Sequence, residues 1–147
     1  MQPSTTSLFP DINVWVALTY EGHTHHSRVA EWFATLSLDA TLAFCRFTQL
    51  GFLRLLSASA VMGDEVMTQP QAWAAYDRWH QDPRVEFVDE AAELETGFRA
   101  LTRLRQPATK DWADSYLAAF ASAGRLTLVT FDRRLRSRTK SAILLGE

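Results

Sequence analysis

Short apolar runs recur along the chain, separated by longer segments in which apolar residues return every three or four positions. The runs have the length of β-strands, and the longer segments have the periodicity of amphipathic helices. The predicted strands are SLF (7–9), ATLAFC (40–45), VEFV (85–88), LTLVT (126–130) and AILL (142–145). Such alternation is typical of βαβ units. It predicts a single α/β domain, with a central, mostly parallel sheet of about five strands flanked by helices.

The helical segments also carry information about their faces and ends. Gln49, Phe52 and Leu56 fall on one face of the helix predicted after the second strand. The long late helix is expected to end at Gly124, because glycine tolerates the left-handed backbone that commonly caps a helix. The predicted helices are 13–20, 26–36, 47–57, 70–80, 91–104, 110–123 and 131–137.

Three acids are placed at comparable points of this pattern. Asp11 follows Pro10, whose missing N–H should end the first strand, and Asp132 comes two residues after the fourth strand. Asp114 shares a helix face with Leu117, in a row that otherwise favours burial. Taken alone, Asp11 would most often be a helix N-cap. Because open α/β sheets bind ligands at the carboxyl ends of their strands, we expect the three carboxylates to converge there.

Converging carboxylates repel one another unless a positive charge lies between them. Mg²⁺ prefers oxygen ligands and is often shared between protein carboxylates and substrate phosphates, and Mn²⁺ suits the same ligands. A site of this kind can activate water against a phosphodiester. No Cys/His set has zinc spacing, so the pattern does not favour zinc. We therefore expect a Mg²⁺ or Mn²⁺ site.

The composition limits the number of domains, the kind of partner and the cellular compartment. The 147 residues fit one domain, and the net charge of −2 argues against a generally basic nucleic-acid coat. The lone Cys45 cannot form an internal disulfide and lies in an apolar run, which favours a buried thiol in a reducing cytoplasm. The opening MQPSTTS lacks the features of a secretory leader, and no segment has the length of a membrane span. A cytoplasmic protein without membrane association is expected.

Four segments, DINVWVAL, TQLGFLRLL, DSYLAAFA and LVTFDRRL, together resemble the PIN-domain family, in particular the VapC-type toxins of bacterial type II toxin–antitoxin systems. Each motif alone is weak, but their order and spacing cover nearly the whole chain. The resemblance implies one PIN-like ribonuclease domain over residues 1–147. It also implies a metal-dependent endoribonuclease toxin that cleaves cellular RNA, binds a cognate antitoxin and forms a homodimer.

The resemblance also assigns roles to individual residues. Asp11, Asp114 and Asp132 would be the catalytic acids and the Mg²⁺ or Mn²⁺ ligands. Two polar neighbours, Asn13 and Thr130, would hold Asp11 and Asp132 in orientation. One further acid, Asp111, could be an outer ligand, although an acid in the first turn of a helix is also favourable to the helix dipole.

One position departs from the family pattern. Family members usually carry a glutamate where this chain has Gln49. An amide can still offer a carbonyl oxygen, but it removes a negative charge and should weaken metal binding. Gln49 could instead be an ordinary polar residue of its helix. The alternative function is therefore a catalytically weakened PIN-like protein that only binds RNA or antitoxin.

Two further clusters have competing interpretations. Arg133, Arg134 and Arg136 directly follow Asp132 and could bind RNA phosphates, although a charge run is more often a solvated face. The segment HTHHS (23–27) has a spacing that could suggest a metal site. A helix start with surface histidines explains it better.

Overall fold

The computed structural model describes residues 6–146 and contains a five-stranded sheet in which every neighbouring pair is parallel. The strand order is β3-β2-β1-β4-β5. The strands are β1 (Ser7–Pro10), β2 (Thr41–Phe44), β3 (Val85–Phe87), β4 (Thr127–Thr130) and β5 (Ala142–Leu144). The predicted α/β fold is confirmed, and β1 ends at Pro10 as expected. Residues 1–5, which make up most of the segment judged for a leader, lie outside the described part, as does residue 147.

In the described part of the chain, eight helices and one 3₁₀ turn connect and flank the strands. The helices are α1 (Ile12–Thr19), α2 (His26–Ala34), α3 (Arg46–Leu56), α4 (Ser59–Met62), α5 (Gln69–Trp79), α6 (Leu94–Leu101), α7 (Asp111–Gly124) and α8 (Arg133–Arg136). The sequence missed α4, because four residues are too short to show a period. Within residues 6–146, none of these helices is long and apolar enough to cross a membrane.

Helix α7 ends at Gly124, as predicted, but its left-handed cap is the next residue. Gly124 is the last helical residue, and Arg125 adopts the left-handed backbone instead, with φ of 57°. The N–H of Leu126 donates to the carbonyl of Ala121, and the N–H of Arg125 donates to that of Ser122. These two bonds form a Schellman motif, which satisfies the last carbonyls of the helix one residue later than expected.

Side chains of the central strands alternate between two apolar layers, as the period of two requires. Leu8, Leu42 and Val129 face a layer built with α1, α2, α3 and α5. Their neighbours Phe9 and Ala43 face the layer built with α6 and α7. The thiol of Cys45 is buried in this second layer, as predicted.

Close packing of α1 against α3 depends on Gly51. A Cβ at this position would lie 2.8 Å from Cγ1 of Ile12, closer than real Cβ atoms approach other carbons. Gly97 in α6 provides a contrast, since a Cβ there would meet nothing within 4 Å. The absence of a side chain at Gly51 therefore lets α3 approach the helix that begins directly after Asp11.

We expect Gly51→Ala to lower the free energy of unfolding by about 1–2 kcal/mol, because overpacking outweighs the better helix propensity of alanine. The matched control Gly97→Ala should leave stability unchanged or raise it by up to about 1 kcal/mol. Urea denaturation measures both. Ile12→Val should cost less in the Gly51→Ala background than in the wild type. Equal costs in the two backgrounds would show that Ile12 is not the obstacle.

Candidate active site

Asp11 lies where β1 passes into α1, and its carboxylate has two hydrogen-bond partners from different elements. Oδ1 accepts the N–H of Val14 at 3.0 Å, so Asp11 is the N-cap of α1. Oδ2 accepts the hydroxyl of Thr130 at 2.5 Å, across from the end of β4. The side chain is buried. The N-cap interpretation is thus correct, and it is compatible with a place at the carboxyl edge of the sheet.

Burial raises the pKa of Asp11 to about 6, and the nearby charge of Asp132 contributes to the rise. Hydrogen bonds from Thr130 and from the backbone of Val14 and Asn13 oppose it, because they stabilise the charged form. The side chain of Asn13 is exposed and forms no hydrogen bond within residues 6–146. Asn13 therefore supports Asp11 through its backbone.

Thr130 connects the two strand-end acids. Its hydroxyl donates to Asp11 and accepts the N–H of Asp132 at 3.0 Å. The carboxylate of Asp132 in turn accepts the N–H of Arg134 at 2.8 Å and caps α8. The contacts of Thr130 are those that an orienting role requires.

Asp114 and Asp111 lie in the first turn of α7 but have different surroundings. Burial raises the pKa of Asp114, the charge of Asp132 adds to the rise, and Arg138 opposes it. Asp111 forms an ion pair with Arg138 at 2.5 Å and accepts the hydroxyl of Ser115 at 3.1 Å. The bond from Arg138 lowers the pKa of Asp111. Asp111 is thus engaged with a cation, whereas Asp114 is left with an unfavourable charge.

The charge of Asp132 acts on both Asp11 and Asp114, so the three predicted ligands share one electrostatic neighbourhood. Their side chains are not arranged as a preformed metal-binding cluster. In the described part of the chain, no group of three His, Cys, Asp or Glu side chains is gathered closely enough to hold a metal ion. His23, His25 and His26, which belong to the described residues, form no such group either.

Gln49 is buried, but its hydrogen bonds do not go to these acids. Oε1 accepts the guanidinium of Arg46 at 2.6 Å, and the side chain also bonds to Tyr76. A carboxylate at this position would therefore meet Arg46 rather than an apolar surface. Arg46 was not singled out from the sequence, although the spacing i, i+3 on a helix would have paired it with Gln49.

The basic run forms the short helix α8 and the residues that follow it. Arg133, Arg134 and Arg136 are exposed, whereas Leu135 between them is buried. Arg134 and Arg138 line an open cleft of about 510 Å³, together with Lys110, Asp111 and Asp114. Arg138 follows the three arginines selected from the sequence and has closer contacts with the acids.

The histidine segment also lies closer to the site than expected. Helix α2 begins at His26, in agreement with the interpretation as a helix start. However, the ring of His25 stacks on Phe131 with centroids 4.5 Å apart, and Phe131 lies between Thr130 and Asp132. This segment therefore packs beside the end of β4.

This arrangement, with acids at the carboxyl edge of a parallel sheet, agrees with comparisons to known proteins. The family model described as the PIN domain matches residues 8–140. The chain therefore belongs to the PIN-domain family, as the four motifs predicted. Ribonuclease VapC41 of Mycobacterium tuberculosis is 40% identical over an alignment of 129 residues that covers 85% of this chain and 88% of that protein.

Two solved structures share the fold at low sequence identity. The crystal structure of VapBC2 from Rickettsia felis, bound to a DNA fragment from their promoter, contains a chain that is 16% identical, with a TM-score of 0.69. The match covers 95% of this chain and 99% of that one. Mycobacterium tuberculosis VapC20, described as a Sarcin-Ricin loop cleaving toxin, is also 16% identical, with a TM-score of 0.63 and coverage of 88% and 93%.

The raised pKa of Asp11 predicts a pH-dependent cost of folding. Between pH 4 and 6 the unfolded chain ionises Asp11 while the folded protein still holds the proton, so this group makes folding less favourable as pH rises. In metal-free buffer, Asp11→Asn should gain stability over the wild type across this range, by about 3 kcal/mol at most. Denaturant unfolding at several pH values measures the difference. A difference independent of pH would contradict the raised pKa.

Proposed function

We propose that the chain is a Mg²⁺- or Mn²⁺-dependent endoribonuclease that acts as the toxin of a toxin–antitoxin pair and hydrolyses phosphodiester bonds in cellular RNA. The observation that carries the proposal is the buried carboxylate of Asp11, held by Thr130 beside the charge of Asp132. A buried acid near a second acid is costly without a cation, and such costs are typical of functional sites. The name of VapC41 as a ribonuclease supports the same activity.

The donor set fits a hard divalent cation, because Asp11, Asp114 and Asp132 offer only oxygen ligands. When bound, such a metal supplies an ionised water and neutralises charge on a phosphodiester. The chain itself supplies orientation: Thr130 fixes Asp11 and the backbone of Asp132. Arg134, at the cleft beside Asp114, provides positive charge for RNA phosphates.

A partner and a location belong to the same proposal. A free cytoplasmic ribonuclease would damage its own cell, so we infer that a cognate antitoxin covers the acids and the exposed arginines Arg133, Arg134 and Arg136. The R. felis structure described as VapBC2 supports a paired system. A homodimer remains an expectation from the family resemblance.

The alternative is a catalytically weakened protein that retains RNA or antitoxin binding. The observation that favours it is the amide of Gln49, which leaves the site without a further negative charge and bonds to Arg46. Cleavage assays distinguish the two functions, since only the first predicts hydrolysis of RNA.

Asp11→Asn should abolish metal-dependent cleavage of an RNA pool, with a loss of at least about 100-fold, while the fold stays intact. Asparagine can still cap α1, so the loss would come from the missing charge. The exposed acid Asp39, in the loop before β2, supplies the control Asp39→Asn, which should cleave like the wild type. Wild-type activity in Asp11→Asn would refute the site. Hydrolysis absent from the wild type with both metals would favour the alternative.

Metal binding should also be visible in stability. A cation that binds only the folded state stabilises it by RT ln(1 + L/Kd), where L is the free cation concentration, so the melting temperature rises with that concentration. Millimolar Mg²⁺ or Mn²⁺ should therefore raise the melting temperature of the wild type and of Asp39→Asn, and have little effect on Asp114→Asn. Thermal denaturation monitored by circular dichroism gives the values. Equal increases in all three proteins would exclude Asp114 as a ligand.

A further inference from the structure

The sheet register brings the backbone of Arg46 to the carboxyl edge of the sheet, on the side of Asp11 away from β4. In the pairing of β1 with β2, Ser7 is opposite Thr41 and Leu8 is opposite Leu42. Continuing this register places Asp11 level with Cys45, one residue before Arg46. Arg46 is the first residue of α3 and directly follows the carboxyl end of β2. It therefore lies at the same edge of the sheet as the acids.

The guanidinium of Arg46 is held in place by two neutral groups. It donates to Oε1 of Gln49 at 2.6 Å and lies over the ring of Phe87, 4.7 Å from the ring centroid. These contacts restrict the side chain without cancelling its charge. Within residues 6–146, no Asp or Glu forms an ion pair with Arg46, and the residue is exposed to solvent.

Arg84 is an arginine with a structural role in the same protein and provides a comparison for Arg46. It also lies over an aromatic ring, that of Phe33, at 4.7 Å. Its charge, however, is paired with Asp82 at 2.8 Å through two side-chain hydrogen bonds, and the pair is largely buried. Arg46 has the aromatic contact and lacks the carboxylate, so its charge is available to an external anion.

We propose that Arg46 binds a backbone phosphate of the RNA on the β2 side of the acids, and that Gln49 is the residue that positions it. This inference rests on the proposed ribonuclease function. The strand order places Arg46 on the β2 side of Asp11, with its guanidinium over Phe87 of β3, whereas Asp132 and Arg134 follow β4 on the other side. Strands β3 and β4 are three spacings apart, about 14 Å. Cations on both sides of the acids would hold the RNA chain across them.

The test measures RNA affinity separately from cleavage. A fluorescent single-stranded RNA 12-mer is titrated with protein in EDTA at 50–200 mM salt, and fluorescence anisotropy gives Kd. Arg46→Gln should bind roughly threefold to tenfold more weakly, and the slope of log affinity against log salt should fall by about 0.7, as expected for one lost phosphate contact. Arg46→Lys keeps the point charge and should retain the wild-type slope.

Arg54 supplies the matched control, because it is an exposed arginine near the other end of the same helix. Arg54→Gln makes the same change of charge away from the sheet edge, so its affinity and salt slope should equal those of the wild type. A slope that falls equally in Arg46→Gln and Arg54→Gln would reveal a general charge effect and overturn the assignment.

The positioning role of Gln49 has its own signature. Gln49→Leu removes the acceptor and should weaken RNA binding in the wild type, but not in the Arg46→Gln background. Gln49→Glu would pair with Arg46 and neutralise it, so its salt slope should fall although Arg46 remains. Melting temperatures check that each variant is folded. Equal effects of Gln49→Leu in both backgrounds would assign Gln49 a purely structural role.

The outcomes also separate this inference from the proposed function. If the wild type binds and cleaves RNA while Arg46→Gln keeps the full salt slope, only the role of Arg46 is refuted. If the wild type and Arg54→Gln neither bind nor cleave RNA, the proposed function fails and the inference fails with it. If Arg46→Gln binds RNA normally but loses affinity for an acidic protein partner, Arg46 belongs to a protein interface instead.

Discussion

The candidate site depends on one buried hydroxyl. Thr130 donates to the carboxylate of Asp11 and accepts the backbone N–H of Asp132, so a single side chain connects the ends of β1 and β4 with the starts of α1 and α8. A buried carboxylate is tolerated only when its oxygens are hydrogen-bonded. The geometry of Asp11 is thus set by folding itself, because the same bonds cap a helix and join two strands.

Charge around this bond is distributed unevenly. Asp111 has a guanidinium partner in Arg138, whereas Asp11 and Asp114 lie near Asp132 and have raised pKa values. The Asp111–Arg138 pair is therefore compensated, whereas the centre keeps an excess of negative charge. This excess opposes the stability of the folded protein, and the proposed cation would relieve it.

The fold was predictable because its three central strands, β1, β2 and β4, are mainly apolar runs buried on both faces of a parallel sheet. Asp11 and Asp132 could be placed because strand ends are visible in such a pattern. The partners of Gln49 could not, since its apolar neighbours Phe52 and Leu56 suggested an inward role without identifying what it meets. The left-handed backbone of Arg125 is a second feature that could not be predicted from the sequence. The left-handed position is set by which carbonyls remain unsatisfied, and glycine is only the commonest solution.

The stack of His25 on Phe131 brings two distant parts of the chain together. Phe131 belongs to the two-residue connection between β4 and α8, so its ring and the carboxylate of Asp132 are carried by adjacent residues. The side chain of His25, in the connection between α1 and α2, therefore lies beside the backbone that carries Asp132, although more than a hundred residues separate the two along the chain.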